Sequence, residues 1–137
     1  MGWASRSKRN PEALKRPKTA RPRRVQPKQD PRLSERLVDL IAPYREDDLG
    51  LKGYQALIGT AVAAWNLALL PEREREPAFR EAVAGAPARD RAGVAEILAA
   101  LVRRKDQLFP GDGRPIVHWE VSESADQYHV TVASIAV

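Results

Sequence analysis

Five prolines at short intervals, Pro11, Pro17, Pro22, Pro27 and Pro31, divide this chain before any other feature does. Each lacks a backbone donor and turns the preceding residue away from helical angles, so no helix can run through Ser5 to Pro31. Between those residues the only larger apolar side chains are Leu14 and Val25, which leaves little to bury. The charge divides at the same place. Residues 1–30 carry ten Lys or Arg and two Asp or Glu, whereas the rest of the 137-residue chain carries thirteen and sixteen. Low hydrophobicity combined with charge of one sign does not offset the entropy of ordering a chain. The expectation is a disordered, basic, proline-rich arm over residues 1–30 and a single α+β domain over residues 31–137.

Ten cations in thirty residues attract polyanions at long range and gain affinity by releasing counterions, without reading sequence. The clusters Lys15-Arg16, Lys18 and Arg21-Pro22-Arg23-Arg24 make Arg16, Lys18, Arg21, Arg23 and Arg24 the candidate phosphate contacts to nucleic acid or a ribonucleoprotein. Trp3 is the one aromatic in the arm, so the interleaved stacking used by single-strand binders is missing. An anionic membrane, an acidic protein or no dedicated target at all are the competing readings, although no amphipathic helix or lipid anchor accompanies these residues.

Several classes are set aside by composition. With no cysteine there is no disulfide framework, thiolate nucleophile or cysteine-ligated metal. Residues 1–32 never place two large aliphatic side chains together, unlike the apolar run of a secretory signal, and Ala56 to Leu70 is shorter than a membrane span and interrupted by Gly59, Thr60 and Asn66. A cytoplasmic protein is expected. Glycine-rich phosphate loops, a nucleophile elbow and a metalloprotease helix are all missing, and no cofactor is indicated.

In the second part the apolar spacing is helical. Asp30 is a candidate N-cap with Pro31 at the first helical position, and Leu33, Leu37, Leu40, Ile41 and Tyr44 form one stripe before Pro43 ends or distorts the helix. Tyr54 to Leu70 is apolar on nearly every side, as in a central helix, with Trp65 in the core and Gly59 allowing close approach. The run from Pro71 to Pro77 alternates charge and reads as a surface turn or short helix. A further short helix follows Pro77, with Gly85 closing it in the left-handed region. Asp90 is expected to cap a longer helix carrying Val94, Ile97, Leu98, Leu101, Val102 and Leu108, whose basic end Arg103-Arg104-Lys105 complements the helix dipole.

After Phe109-Pro110-Gly111-Asp112-Gly113 the period changes to two. Val117, Trp119 and Val121 alternate with His118 and Glu120, and Tyr128 to Val137 resumes after a connection over Ser122 to Gln127. Pairing Val121 with Tyr128, Trp119 with Val130 and Val117 with Val132 gives a hairpin with one apolar face. A shift of two residues, placing His118 opposite His129, preserves the faces. The fold class is therefore α+β, about four helices with a C-terminal antiparallel hairpin. Thr131, Ala133, Ile135 and Val137 are too apolar for full exposure, so a protein partner or a second copy docking on the C-terminal strand is the alternative function, with Trp119, Ile135 and Val137 as contacts. A small metal-dependent enzyme built on His118, Glu120 and His129 is a third reading, weakened by how ordinary such pairs are on a wet hairpin face. The balance favours a non-enzymatic binding module.

Overall fold

The computed structural model describes residues 28–46 and 48–135, so the expectations for residues 1–27 and for Val137 lie outside the described residues. In chain order the elements are β1 (Lys28–Gln29), α1 (Pro31–Ile41), a 3-10 turn (Ala42–Tyr44), α2 (Gly50–Ala68), α3 (Glu72–Ala84), a 3-10 turn (Ala88–Asp90), α4 (Arg91–Leu108), β2 (Ile116–Ser124) and β3 (Gln127–Ser134). The fold is α+β: four helices and a C-terminal antiparallel hairpin, extended to a three-stranded sheet in the order β1-β3-β2.

Helix α1 forms as its sequence dictates. The Asp30 carboxylate accepts a hydrogen bond from the Leu33 amide at 3.1 Å, Pro31 occupies the first turn, and Leu33, Leu37, Leu40 and Ile41 are buried on one face. Burying a side chain of this size is favourable by about 1.5–3 kcal/mol, so the stripe is what holds the helix on the core. Helix α2 begins at Gly50, four residues before Tyr54, because Gly50 takes a left-handed φ of 72° at the entry. It supplies Tyr54, Leu57, Ile58, Ala61, Val62, Ala64, Trp65, Leu67 and Ala68 to the interior and is the central helix. At Gly59 the sheet approaches closely: a Cβ built there would sit 3.1 Å from Trp119 Cζ2.

Three helical expectations change. The charged run and the segment after Pro77 form one continuous helix, α3, with Pro77 inside it, and α3 buries no residue fully. Pro77 lies only two turns from the start, so one missing intrahelical bond is tolerated, and Phe79, Val83 and Ala78 pack partly against the core. Gly85 ends α3 with a right-handed φ of −72°, so the chain leaves through Pro87 and the second 3-10 turn and not through a left-handed glycine. Asp90 occupies the cap position of α4 without donating or accepting a side-chain capping bond. It sits instead 4.0 Å from Arg89 on the exposed surface.

The hairpin turn differs from the expected six-residue connection. Strands run to Ser124 and from Gln127, joined by Ala125 and Asp126, both left-handed with φ of 51° and 64°. Two consecutive left-handed residues give the turn whose twist matches paired strands, and it fixes a register two residues away from the expected one, opposite in direction to the shift that pairs the histidines. Trp119 faces Val132, Val121 faces Val130 and Glu123 faces Tyr128, while Ser122 opposes His129 and Glu120 opposes Thr131. Because the displacement is even, the apolar face survives. Val117 leaves it. An irregularity between Ile116 and His118 turns Ile116 inward, 4% exposed, and Val117 outward, 44% exposed. The cause is Asn66 of α2, whose carboxamide accepts from the Ile116 N–H at 3.0 Å and donates to its carbonyl at 2.9 Å, clamping the start of β2.

Candidate functional site

Three surfaces and one buried cluster hold the residues with chemistry to offer. The cluster lies where β1, α1, the α4–β2 loop and the end of β3 meet. Asp112, with a side chain only 2% exposed, accepts from Arg114 Nε at 2.9 Å and Nη2 at 2.5 Å, from the Arg114 amide at 3.2 Å, and from Arg36 Nη1 at 2.7 Å. The remaining guanidinium nitrogen of Arg114 donates to Asp30 Oδ2, which also accepts from Ser134 Oγ at 3.2 Å. The Arg114 fork holds the Asp112 carboxyl at about 2, below its ordinary 3.8, against a desolvation that raises it, and Arg114 itself is held above the ordinary guanidinium range by Asp112.

Lys105 closes the other side. It is 2% exposed, donates to the carbonyls of Asp112 at 2.6 Å and Phe109 at 2.9 Å, and lies 4.8 Å from the centre of the Trp65 ring. Burial lowers its pKa, opposed by Asp112 and Asp106. Of the basic end of α4, Lys105 thus caps carbonyls at and just past the end of its own helix. Arg104, one residue earlier, donates to the Leu40 and Asp39 carbonyls at the end of α1. Trp65 is fully buried and donates its indole N–H to the Arg114 carbonyl at 2.8 Å. Every charged group in this cluster is matched inside the protein, and it is a clasp that fixes the exit of the N-terminal residues against the sheet rim. The Gly111-Asp112-Gly113 turn was legible in the sequence; that its acid is buried was not, because its partners lie as far back as Arg36 and Asp30.

The outer sheet face carries the histidines. His118 Nε2 and Glu120 Oε2 are 3.6 Å apart on one strand, 65% and 73% exposed, and His129 stands opposite Ser122 on the next strand. Among the described residues no three His, Asp or Glu side chains converge in a way that could hold a metal ion. The register keeps His129 off the Glu120 position, so the third group of the enzymatic reading is not brought in.

A cleft of about 530 Å³ lies between α2, α3 and α4, floored by Leu67, Phe79, Ala99 and Val102, with Glu72, Arg75 and Glu76 at its edge. Arg75 is tied to the end of α2 through the carbonyls of Ala68 at 2.6 Å and Leu70 at 3.2 Å, and to Asp106 at 3.1 Å.

The third surface is a groove between α1 and β3. Hollows of about 270 Å³, 300 Å³ and 450 Å³ share their walls and run from Gln29 to Asp126. Val38 and Val130 make its apolar middle. Tyr54 and Tyr128, stacked with centroids 4.5 Å apart, follow, with the Arg45 guanidinium 5.9 Å from the Tyr54 ring. Burial raises the Tyr54 pKa, partly countered by Arg45. Glu35, Asp39, Glu46, Glu123 and Asp126 line the groove against that single arginine.

Along this groove the β3 edge is half used. β1 pairs Lys28 with Ser134 and Gln29 with Ala133, the Asp30 amide donates to the Val132 carbonyl at 3.0 Å, and the Val132 amide donates to Ser34 Oγ at 3.3 Å. Residues assigned from sequence to the arm therefore contribute a strand, and the end of β3 expected to receive a partner is already covered. Alternation of an antiparallel ladder directs the N–H and C=O of Val130 and Tyr128 the same way as those of Val132. Among the described residues nothing pairs with them. Of the expected docking residues, Trp119 is half-buried against Gly59, Ile135 is half-buried just past β3, and Val137 lies outside the described residues, as do Arg16, Lys18, Arg21, Arg23 and Arg24. No helix among the described residues is long and apolar enough to cross a membrane. No family model, curated protein or solved structure matches the chain.

Proposed function

We propose that this protein is a non-catalytic binding module in which the cationic segment over residues 1–30 engages a polyanion, nucleic acid or a ribonucleoprotein, and the α+β part serves as its scaffold. The observation that supports it is the segregation of net charge: ten Lys or Arg against two acids in residues 1–30, thirteen against sixteen after them. Of the thirteen Lys and Arg residues after residue 30, Arg36, Arg75, Arg91, Arg104, Lys105 and Arg114 donate to carbonyls or carboxylates of the protein itself. These six are held by internal partners, and sixteen carboxylates offset the thirteen cations of this part, so the concentrated positive field belongs to the sequence of residues 1–30.

The test is salt dependence. Five phosphate contacts by Arg16, Lys18, Arg21, Arg23 and Arg24 correspond to a slope of log K against log salt near −4.5 on duplex DNA, or a loss of about 500-fold between 50 and 200 mM salt. Fluorescence anisotropy with a labelled duplex and with a labelled RNA should show that dependence for the intact chain. Replacing all five by Gln should remove most of the affinity and flatten the slope. Unchanged affinity and slope in the five-fold variant overturns the proposal.

A further inference from the structure

We infer that the open half of the β3 edge is a docking site for an extended cationic segment, and that its occupant is the chain's own Ala13-Leu14-Lys15-Arg16. The site offers two things together: main-chain groups of Tyr128 and Val130 that no described residue pairs with on this edge, and a groove whose walls are carboxylate-rich around an apolar middle. An added strand satisfies the first, because outward N–H and C=O groups on a sheet edge are a template for backbone pairing. A cationic segment satisfies the second. Five carboxylates face one guanidinium along the groove, while residues 1–27 hold nine Lys or Arg and one Glu.

The choice of segment follows from reach and from proline. Lys28 lies opposite Ser134 and Gln29 opposite Ala133, so the chain immediately before β1 heads past Ser134, away from Val130. Val25, three residues before Lys28, spans at most about 10 Å and cannot reverse direction to reach the groove. Leu14 lies fourteen residues before Lys28 and reaches about 45 Å, enough to return along α1. Proline has no amide to donate, so the pairing stretch must lie between prolines, and Pro11 and Pro17 bracket a run with a large aliphatic side chain in it. Residues two apart on a strand share a face. With Leu14 in the hollow between Val38 and Val130, Arg16 lies on the same side, toward the carboxylates of α1. A short tether supplies an effective concentration on the order of millimolar, which favours the chain's own segment over that of a second copy at ordinary protein concentrations. The groove and the polyanion proposal share Arg16 alone: the groove can be empty and the cations still bind phosphate, or the reverse.

The chain has no cysteine, so Ala13→Cys in the full-length protein gives one attachment point for a nitroxide. Amide resonances of Val38, Tyr128 and Val130 should broaden, the broadening should be unchanged on tenfold dilution, and Glu35→Lys with Asp39→Lys should abolish it. Both carboxylates are exposed, and Glu46→Lys with Glu123→Lys tests the same charge from the other end should the first pair fail to fold. Broadening that is absent or spread evenly over the surface overturns the site. Broadening that weakens with dilution overturns the assignment to the chain's own segment, and broadening that persists in both charge-reversed pairs overturns the electrostatic argument. Anisotropy of the unlabelled Ala13→Cys protein, with its natural charges, against duplex DNA reports the polyanion reading separately.

Discussion

Replacing Asp112 by Asn tests whether the buried clasp is held by charge or by shape. The carboxyl is held at about 2 by the Arg114 fork and Arg36, against an ordinary 3.8. A depressed acid contributes stability that is complete above its unfolded pKa and lost as the pH falls through its folded pKa. At 1.36 kcal/mol per pKa unit this amounts to about 2 kcal/mol at pH 7, about 1 kcal/mol at pH 3 and little at pH 2. Asn keeps the volume and one acceptor but leaves Arg36 without its carboxylate and Arg114 with Asp30 alone. The side chains of Arg36 and Arg114 are 34% and 31% exposed, so water compensates them in part and the loss stays below the 3–5 kcal/mol typical of a fully buried orphan. Urea unfolding followed by far-ultraviolet circular dichroism at pH 7, 5 and 3 should show Asp112→Asn less stable by about 2 kcal/mol at pH 7 and 5, the gap closing by about half at pH 3. A gap that stays constant from pH 7 to pH 3 refutes the electrostatic account and leaves only the loss of a well-fitted acceptor.

Further substitutions probe the contacts that position the sheet. Gly59→Val places a branched side chain in the path of the Trp119 ring, which lies 3.1 Å from where a Cβ would stand, and should cost about 1–3 kcal/mol in chemical unfolding. Asn66→Leu removes both bonds to Ile116 and leaves the start of β2 unclamped; a loss of about 1–3 kcal/mol is expected, with faster amide exchange at Ile116 than elsewhere in β2. Ala125→Gly relieves a left-handed alanine, so the unfolding free energy in urea should rise, by less than the ~1–2 kcal/mol of that strain because glycine is also freer when unfolded.

The helices were legible because each is written locally. The stripe Leu33, Leu37, Leu40, Ile41 and the cap Asp30 lie within a dozen residues, and they coincide with the buried face of α1 and its N-terminal bond. The fusion of the charged run with the segment after Pro77 was hidden because a proline two turns into a helix reads like a break. The hairpin was legible as an alternation but not as a register. A shift by two leaves the pattern unchanged, and the deciding residues, Ala125 and Asp126, do not have the glycine that announces a two-residue turn. The groove was illegible for a further reason. It is made by α1 and β3, nearly a hundred residues apart, and depends on how far β1 pairs, which Lys28 and Gln29 do not signal by hydrophobicity.

Asp30 joins the two halves of the molecule. Its Oδ1 caps α1 and its Oδ2 receives Arg114 and Ser134, while its amide donates to Val132, so one residue sets the helix start, the loop before β2 and the edge of β3. The start of β1 is therefore held at a fixed place by residues 28–30 and their partners. Fixing the root of a tether leaves its reach intact and removes the uncertainty in where that reach begins. Asp30→Ala should consequently weaken both the scaffold and the definition of that point, and its effect on amide exchange should concentrate at Leu33, Val132 and Ser134 before it spreads to α2.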